Sequence, residues 1–458
     1  MKNLDDPITQ SNPFLDRWNK ISSDLAGEPA ILSQTGTPLL SFAELDQAAC
    51  LWALQIQNLR LTRPVVAIKV GNSPDWPAIF LGIWKAGGVA VPEGPYLPSG
   101  LNPHAKVVPD PNGVPALVPV HEMEIDIHPA VDLVKLTSGT VSGVQAVGFS
   151  AAQLLADAAN ICAGMEIRRP DRNVGVVPLS HSYGLSNLMG LLVAEGVPLI
   201  LSDPLPRSIL EALNAGGGTV LPVVPTLIRT LAAVGGSPGS LRLCLSAGAL
   251  LPSRDAKMFH QVFGKKVHTF YGASECGGIC FDSLEDPDVP EGYIGTPLPG
   301  VKVCPEAVDA GLRIRVESGA VALGHIPPGT ETTLRPGSFL TSDLLESSGN
   351  GYRMLGREGD SINVGGRKVH PLQIESVLRL IDGVEDCVVF GISDDSSRGE
   401  QIAACLVGPA SPDEVRAACA GHLPTWQTPR RWFALDTLPV DERGKVSRRR
   451  LKELLLGS

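Results

Sequence analysis

Apolar positions recur at helical spacing from Phe42 to Leu59 and then give way to a nearly continuous apolar run, Val65-Val-Ala-Ile-Lys-Val70. The first pattern predicts an amphipathic helix and the second a buried strand. A further helix is predicted over Ala78 to Ala86, and the next strand over Gly87 to Pro92. Strands alternating with helices imply a parallel sheet with helices packed on it, an α/β fold. The alternation lapses between residues 93 and 130, where prolines crowd and periodicity fails, so a long, partly irregular connection is expected there. It resumes with strands at Val174 to Val177, Leu199 to Leu201, Thr219 to Leu221, Leu241 to Ser246 and Val267 to Tyr271. Helical stretches at Arg207 to Leu213, Pro225 to Ala233 and Pro252 to Phe263 lie between them. Residues 1 to 28 read as polar and irregular, anchored by Phe14, Leu15 and Trp18.

From Tyr293 the texture changes to short strands and turns, and Gly349-Asn-Gly351 reads as a hairpin turn. After Gly356-Arg357 the pattern is strand, helix, strand over the remaining residues, the size of a small α+β domain. A chain of 458 residues exceeds what one core usually supports. Residues 1–356 and 357–458 are therefore read as two domains.

Composition narrows the class of function. Hydrophobic residues at 43% and charged residues at 19% are those of an ordinary soluble globular protein. A net charge of -10 without a long basic run argues against a nucleic-acid surface. The longest apolar run, Leu188 to Leu201, is interrupted by Glu195 and Pro198, so no membrane span is expected. The first residues lack the layout of a signal peptide. Nine cysteines without paired C-x-x-C spacing suggest free thiols, and the expected compartment is the cytoplasm.

The chemistry-bearing stretches begin at Val134-Lys-Leu-Thr137-Ser138-Gly139-Thr140-Val-Ser142-Gly143. Hydroxyls donate hydrogen bonds, and glycines let successive backbone N–H groups converge on an anion, phosphate above all. A plain Thr/Ser/Gly hairpin turn is the alternative for this stretch taken alone. Next in order are Pro178-Leu-Ser-His181-Ser-Tyr-Gly184, Ser246-Ala247-Gly248 and Tyr271-Gly272-Ala-Ser274-Glu275. Thr341-Ser-Asp343-Leu344, Gly356-Arg357, Gly365-Gly366-Arg-Lys368-Val-His-Pro371 and Arg443-Gly-Lys445-Val-Ser-Arg448 complete the series.

This series, from about Ser41 onward, resembles the adenylate-forming superfamily: acyl-CoA synthetases, adenylation domains of peptide synthetases, and luciferases. The resemblance implies a large N-terminal AMP-binding domain of parallel α/β sheets plus a small distorted barrel. A small, mobile C-terminal α+β lid completes the expected architecture. It implies that Thr137, Ser138, Gly139 and Thr140 cradle phosphates, and that Ser246, Ala247 and Gly248 line the adenine and acyl pockets. Tyr271 and Gly272 would meet adenine, Ser274 the α-phosphate, and Glu275 a Mg²⁺ ion, which suits a carboxylate beside phosphates. Read without the resemblance, Glu275 is a helix N-terminal acid behind a Ser cap.

The resemblance also implies that Asp343 holds the ribose, that Arg357 reaches the ribose or a phosphate, and that His181, beside the acyl channel, gates access for the thiol, or else is a histidine packed under a loop. Tyr183, Gly184, Leu188 and Met189 would line the acyl pocket, or else belong to the core. Gly365-Gly366-Arg-Lys368-Val-His-Pro371 with Glu375 resembles the family's lid segment, in which Gly365, Gly366 and Lys368 would meet the pantetheine arm, the glycine letting it approach the backbone closely, and Lys445 would close over the forming acyl-phosphate. The implied reaction joins a carboxylic acid, fatty or aromatic, to CoA through an acyl-adenylate, using ATP and Mg²⁺ and releasing pyrophosphate. A ligase loading the phosphopantetheine of a separate acyl carrier protein is the near alternative, and a weakened nucleotide-binding pseudoenzyme the more distant one. Against the family pattern, Val141, Ser142 and Val144 replace Thr, Gly and Pro, Gln145 stands where the loop has Lys, and Gly359 where the hinge has Asp or Lys.

Overall fold

In the computed structural model the described residues are 12–92, 97–98, 101–120, 127–139, 143–308, 311–328, 333–394, 399–439, 446 and 448–457. The chain opens with a helix, Pro13–Asp24, where an irregular segment was expected. Asn12 caps it by accepting from Leu15 N, with Pro13 at the first turn. Its apolar stripe buries Phe14 and Trp18 completely, so the predicted anchors hold while the predicted irregularity does not. The Trp18 indole also donates to Asp46 at 2.6 Å, on the helix Phe42–Gln57.

Two sheets organise the large domain. The first has seven strands, with Val89–Pro92 at its centre and Val65–Ile68 between it and Ala105–Pro109, all three parallel. Leu133–Gly139 continues from Val89–Pro92, then turns back as Gly143–Phe149. The expected irregular connection contains an ordered hairpin, Ala105–Pro109 with Pro115–Pro119. It escaped the periodicity because Pro115 and Pro119 lie on the edge strand, where a missing N–H costs no ladder bond.

The second sheet carries parallel strands Asn173–Gly175, Leu199–Leu201, Val220–Val223, Leu243–Ser246 and Val267–Ala273. Val267–Ala273 is its turning point: parallel to Leu243–Ser246 on one side, antiparallel to Gly277–Phe281 on the other. Antiparallel strands continue from there to Gly351–Arg357, closing on the two-residue turn Gly349-Asn350 predicted from sequence. The architecture is a mixed α/β chain with a large N-terminal and a small C-terminal domain.

The C-terminal domain has its own core, built from Ile374, Leu378, Cys387, Val389, Ala404 and Val415 among others. A three-stranded sheet, Asp386–Asp394, Gly399–Val407 and Arg431–Ala434, packs against helices Pro371–Leu378 and Pro412–Cys419. Ion pairs fix it to the large domain. Arg229 reaches Asp255 at 3.0 Å on its own side and Asp386 at 3.4 Å across the junction. Arg379 approaches Glu291 at 3.8 Å, and Arg254 donates to the Val384 carbonyl at 3.0 Å.

Candidate functional site

The parallel strands of the second sheet end together: Val223 pairs with Ser246, and Ser246 with Thr269. Ligands of open α/β sheets bind outside such carboxyl ends. Ser246, Ala247, Gly248, Tyr271, Gly272, Ser274 and Glu275 all lie there, on the last residues of two strands and the turns after them. Gly272 is exposed, whereas Ser246 and Ala247 are buried, and among the described residues the Ser246 hydroxyl has no hydrogen-bond partner.

Two long-range contacts tie this end to the antiparallel strands. Tyr271 Oη donates to Asp343 Oδ2 at 2.7 Å, and Arg357 Nε donates to Asp343 Oδ1 at 2.9 Å. Asp343 and Arg357 face each other in register across neighbouring strands. The carboxylate raises the Arg357 pKa, and burial together with Asp343 lifts the Tyr271 phenol well above its usual range. Each Asp343 oxygen uses one acceptor site, leaving about two more of its roughly four lone-pair sites for a ligand hydroxyl.

Glu275 occupies a turn leading into the strand Gly277–Phe281, not a helix, which removes the helix-cap reading. Its carbonyl accepts from Ala322 N at 2.9 Å, and Leu323 N donates to the Gly148 carbonyl at 2.8 Å. The 320–326 segment thus joins Glu275 to the Thr-Ser-Gly hairpin. Burial pushes the Glu275 carboxyl above the usual carboxylate range, while the charges of His325 and Arg357 pull it down. A half-buried carboxylate in that state gains from a hard cation. Mg²⁺ typically takes one or two protein carboxylates and completes its shell with water and phosphate oxygens, so Glu275 fits it. Among the described residues no cluster of three or more His, Cys, Asp and Glu side chains is placed to hold a metal without such a ligand.

Thr137, Ser138 and Gly139 end the strand Leu133–Gly139, with Thr137 opposite Gln145 and Gly139 opposite Gly143 of the antiparallel strand Gly143–Phe149. Thr137 is buried; Thr140, with Val141 and Ser142, lies outside the described residues. His181 caps a short helical turn and is partly exposed; the loop before it is clamped by Asn72, which bonds Gly175 O, Val177 O and Leu179 N. Leu188 and Met189 are fully packed core residues in a π-helical segment, so of the two readings for them the core is the one found. The Tyr183 hydroxyl donates to Leu245 O at 3.1 Å.

On the lid, Gly365 and Gly366 form the two-residue turn between Ile362–Val364 and Arg367–Val369. Their φ angles of 57° and 84° are ones a glycine pair adopts without strain. Lys368 is exposed beside them. Glu375 does not belong with that surface. It is 1% exposed and bonds Arg448 at 2.6 Å and Val389 N at 2.8 Å, which makes it a core strut of the lid. Lys445 lies outside the described residues, but its neighbours are anchored: Val446 packs on the lid core and Arg448 reaches Glu375.

Sequence reasoning missed His325, Lys135 and Asp157, all of which surround Glu275 or the turn after it. Lys135 did leave a signal, a lone charge inside an otherwise apolar buried strand.

The carboxyl-end turns, the end of the Thr-Ser-Gly strand and the buried Tyr271–Asp343 pair, with the exposed Arg357 on Asp343, belong to a two-domain α/β protein. Residues 128–312 match the family model of AMP-binding enzymes, and residues 373–445 that of the AMP-binding enzyme C-terminal domain. The chain belongs to this family, the adenylate-forming superfamily. It is 26% identical over 485 residues to the 2-succinylbenzoate–CoA ligase of Geobacillus kaustophilus, covering 96% of this chain and 97% of that one. It is also 26% identical over 362 residues to the long-chain-fatty-acid–CoA ligase of Bacillus subtilis, covering 74% of this chain and 63% of that one. The match therefore spans less than two thirds of the Bacillus enzyme. The crystal structure of ATP-bound MatB from Rhodopseudomonas palustris shares the fold, with a TM-score of 0.83 at 22% identity over 96% of this chain and 98% of that one. No described helix is long and apolar enough to cross a membrane.

Proposed function

We propose that the chain is an ATP-dependent acid–thiol ligase that activates a carboxylic acid as its adenylate, releases pyrophosphate and passes the acyl group to CoA. The observation that carries this reading is the Asp343 carboxylate, gripped by Tyr271 and Arg357 beside Glu275. In this reading Asp343 accepts from the ribose hydroxyls, and Arg357 holds that carboxylate in orientation. Tyr271, its hydroxyl tethered to Asp343, stacks its ring on adenine, with the exposed Gly272 beside it. Thr137, Ser138, Gly139 and Thr140 hold the β- and γ-phosphates through hydroxyls and backbone N–H groups, and Ser274 meets the α-phosphate. Glu275 would hold Mg²⁺, which when bound neutralises charge on the phosphate oxygens. Such transfers are catalysed mainly by positioning and charge compensation. His181 and Tyr183 border the acyl side. The absence of a charged group among them favours a fatty or aromatic monocarboxylate. An acid-dependent ATP–pyrophosphate exchange assay over fatty and aromatic acids tests the reading; nucleotide binding with no exchange for any acid would sink it.

Gln145 leaves the phosphate hairpin without the family's cation. Gln145→Lys is expected to lower the KM for ATP or raise the adenylation rate a few-fold, about 1 kcal/mol. Steady-state kinetics at varied MgATP checks it. An unchanged or worse enzyme would mean that charge is already supplied from elsewhere.

The domain boundary in this reading falls at Arg357, with the lid turning about Gly359. That glycine sits in the single turn Glu358–Asp360, which is gripped from both sides. Glu358 pairs with Arg313 of the large domain at 3.3 Å, and Asp360 with Arg448 of the lid at 3.5 Å. A Cβ added at Gly359 would meet nothing within 4 Å. Gly359→Asp is therefore expected to leave both half-reactions within about two-fold of wild type. Gly359→Pro, which freezes φ, is expected to slow one half-reaction and spare the other. Separate assays of adenylation and thioester formation decide this, and equal mild loss of both in the proline variant would place the pivot elsewhere.

A further inference from the structure

Asn72 stands on the turn between the strand Val65–Ile68 and the helix Asp75–Lys85, at the carboxyl end of the first sheet. Its side chain reaches across to the second sheet. The Nδ2 group donates to the Gly175 carbonyl at 3.1 Å and to the Val177 carbonyl at 2.9 Å, while Oδ1 accepts from Leu179 N at 2.8 Å. The N–H can only donate and the two carbonyls can only accept, so the amide has one orientation and uses three of its four bonding sites. The strand Asn173–Gly175 pairs with Leu199–Leu201 as far as Gly175 and has no register partner beyond it among the described strands. Val177 and Leu179 are buried, so their backbone groups need a partner within the protein. Asn72 supplies it, in place of the strand that is missing. The loop held in this way carries His181. A bond from His181 N to the Pro178 carbonyl, at 3.1 Å, closes its far end. That end rests on Gly184, where an added Cβ would lie 2.1 Å from the same carbonyl. Asn72 itself is exposed, so these three bonds, and not core packing, are what its side chain contributes.

We propose that Asn72 is a positioning residue for the acyl side of the site. It joins the carboxyl ends of the two sheets and sets the backbone from Gly175 to His181, against which the carboxylic acid is held for attack on the nucleotide. The inference rests on the ligase reading above and extends it to a residue that acts through the His181 loop. The groups assigned to the nucleotide, Tyr271, Glu275, Asp343 and Arg357, lie on other strands and the turns after them. The effect of Asn72 therefore falls on the acid and not on ATP.

The test compares the full wild-type chain with Asn72→Ala and with Asn72→Asp, which keeps the shape and the acceptor but has no donor. The substrates are MgATP and whichever acid gives wild type its fastest pyrophosphate exchange, from a panel of straight-chain acids from acetate to palmitate together with benzoate and cinnamate. Both variants are expected to raise the KM for that acid about ten-fold or more, the scale of a misplaced positioning group. ATP affinity, measured by calorimetry, should stay within about two-fold of wild type. Hydrogen exchange at the Leu179 amide, read by mass spectrometry on a peptide spanning it, should quicken about ten-fold or more in Asn72→Ala. Exchange in the strand Val267–Ala273 should not change. An unchanged acid KM, equal losses of acid and ATP affinity, or unchanged exchange at Leu179 would overturn the proposal. Failure of both variants to fold would make Asn72 a structural residue and overturn it equally. Wild type that binds ATP but shows exchange with no acid would instead overturn the ligase reading, and the acyl-side role of Asn72 with it.

Discussion

Replacing Lys445 by alanine is expected to cut acyl-adenylate formation by about 10²-fold or more, the scale of losing one positioned electrostatic stabiliser at a transition state. Supplied acyl-adenylate should still react with CoA at a rate close to that of wild type. The expectation rests on the Arg443-Gly-Lys445-Val-Ser-Arg448 motif and on the anchoring of its C-terminal half. Val446 packs on the lid core, while Arg448 is locked to Glu375 and the Val389 carbonyl. If the lid turns as proposed, the ion pairs of Arg229 and Arg379 across the domain junction hold this orientation and break for another. Lysine chemistry confined to one orientation should therefore affect one half-reaction. A parallel fall of both half-reactions would contradict the assignment of Lys445 to adenylation alone.

Glu275→Gln is expected to cost about 10²–10³-fold in adenylation, while the melting temperature holds or rises. The two effects have one cause. Burial raises the Glu275 pKa, so the ionised form is disfavoured in the fold relative to the unfolded chain. For such a raised carboxyl the sign is fixed. The ionised group costs stability at neutral pH, and that cost is relieved as pH falls through the raised pKa. A neutral glutamine removes the cost at all pH values, but it gives a divalent cation a far poorer ligand. Pyrophosphate exchange and thermal melts on the same preparation check both. Full activity in the variant would remove Glu275 from the metal role. Lost activity with a lowered melting temperature would make it a structural residue.

How much of this was legible in the sequence varies with the range of the interaction. The central helices and parallel strands were predictable from periodicity because each buries one face or both. The helix Pro13–Asp24 was misjudged although Asn12-Pro13 is a good start signal, because its few apolar residues lie in a polar stretch. The proline-bearing hairpin Ala105–Pro119 was hidden by a rule about central strands that does not bind an edge. Within the site, Tyr271 and Asp343 are 72 positions apart, and only the resemblance of the two motifs to one family linked them. Glu375, which the sequence marked only as part of the lid segment, takes its role from distant contacts with Arg448 and Val389, those of a buried strut. Lys135 and Asp157 carried no motif, and only packing brings them to the Glu275 turn.

The most direct test of the central claim is ATP–pyrophosphate exchange by the purified full chain, measured with fatty and aromatic monocarboxylates and then with CoA added. Acid-dependent exchange is predicted for at least one of these classes, with AMP and a thioester appearing in equal amounts once CoA is present. Exchange with no acid despite measurable ATP binding, or ADP in place of AMP, would contradict it.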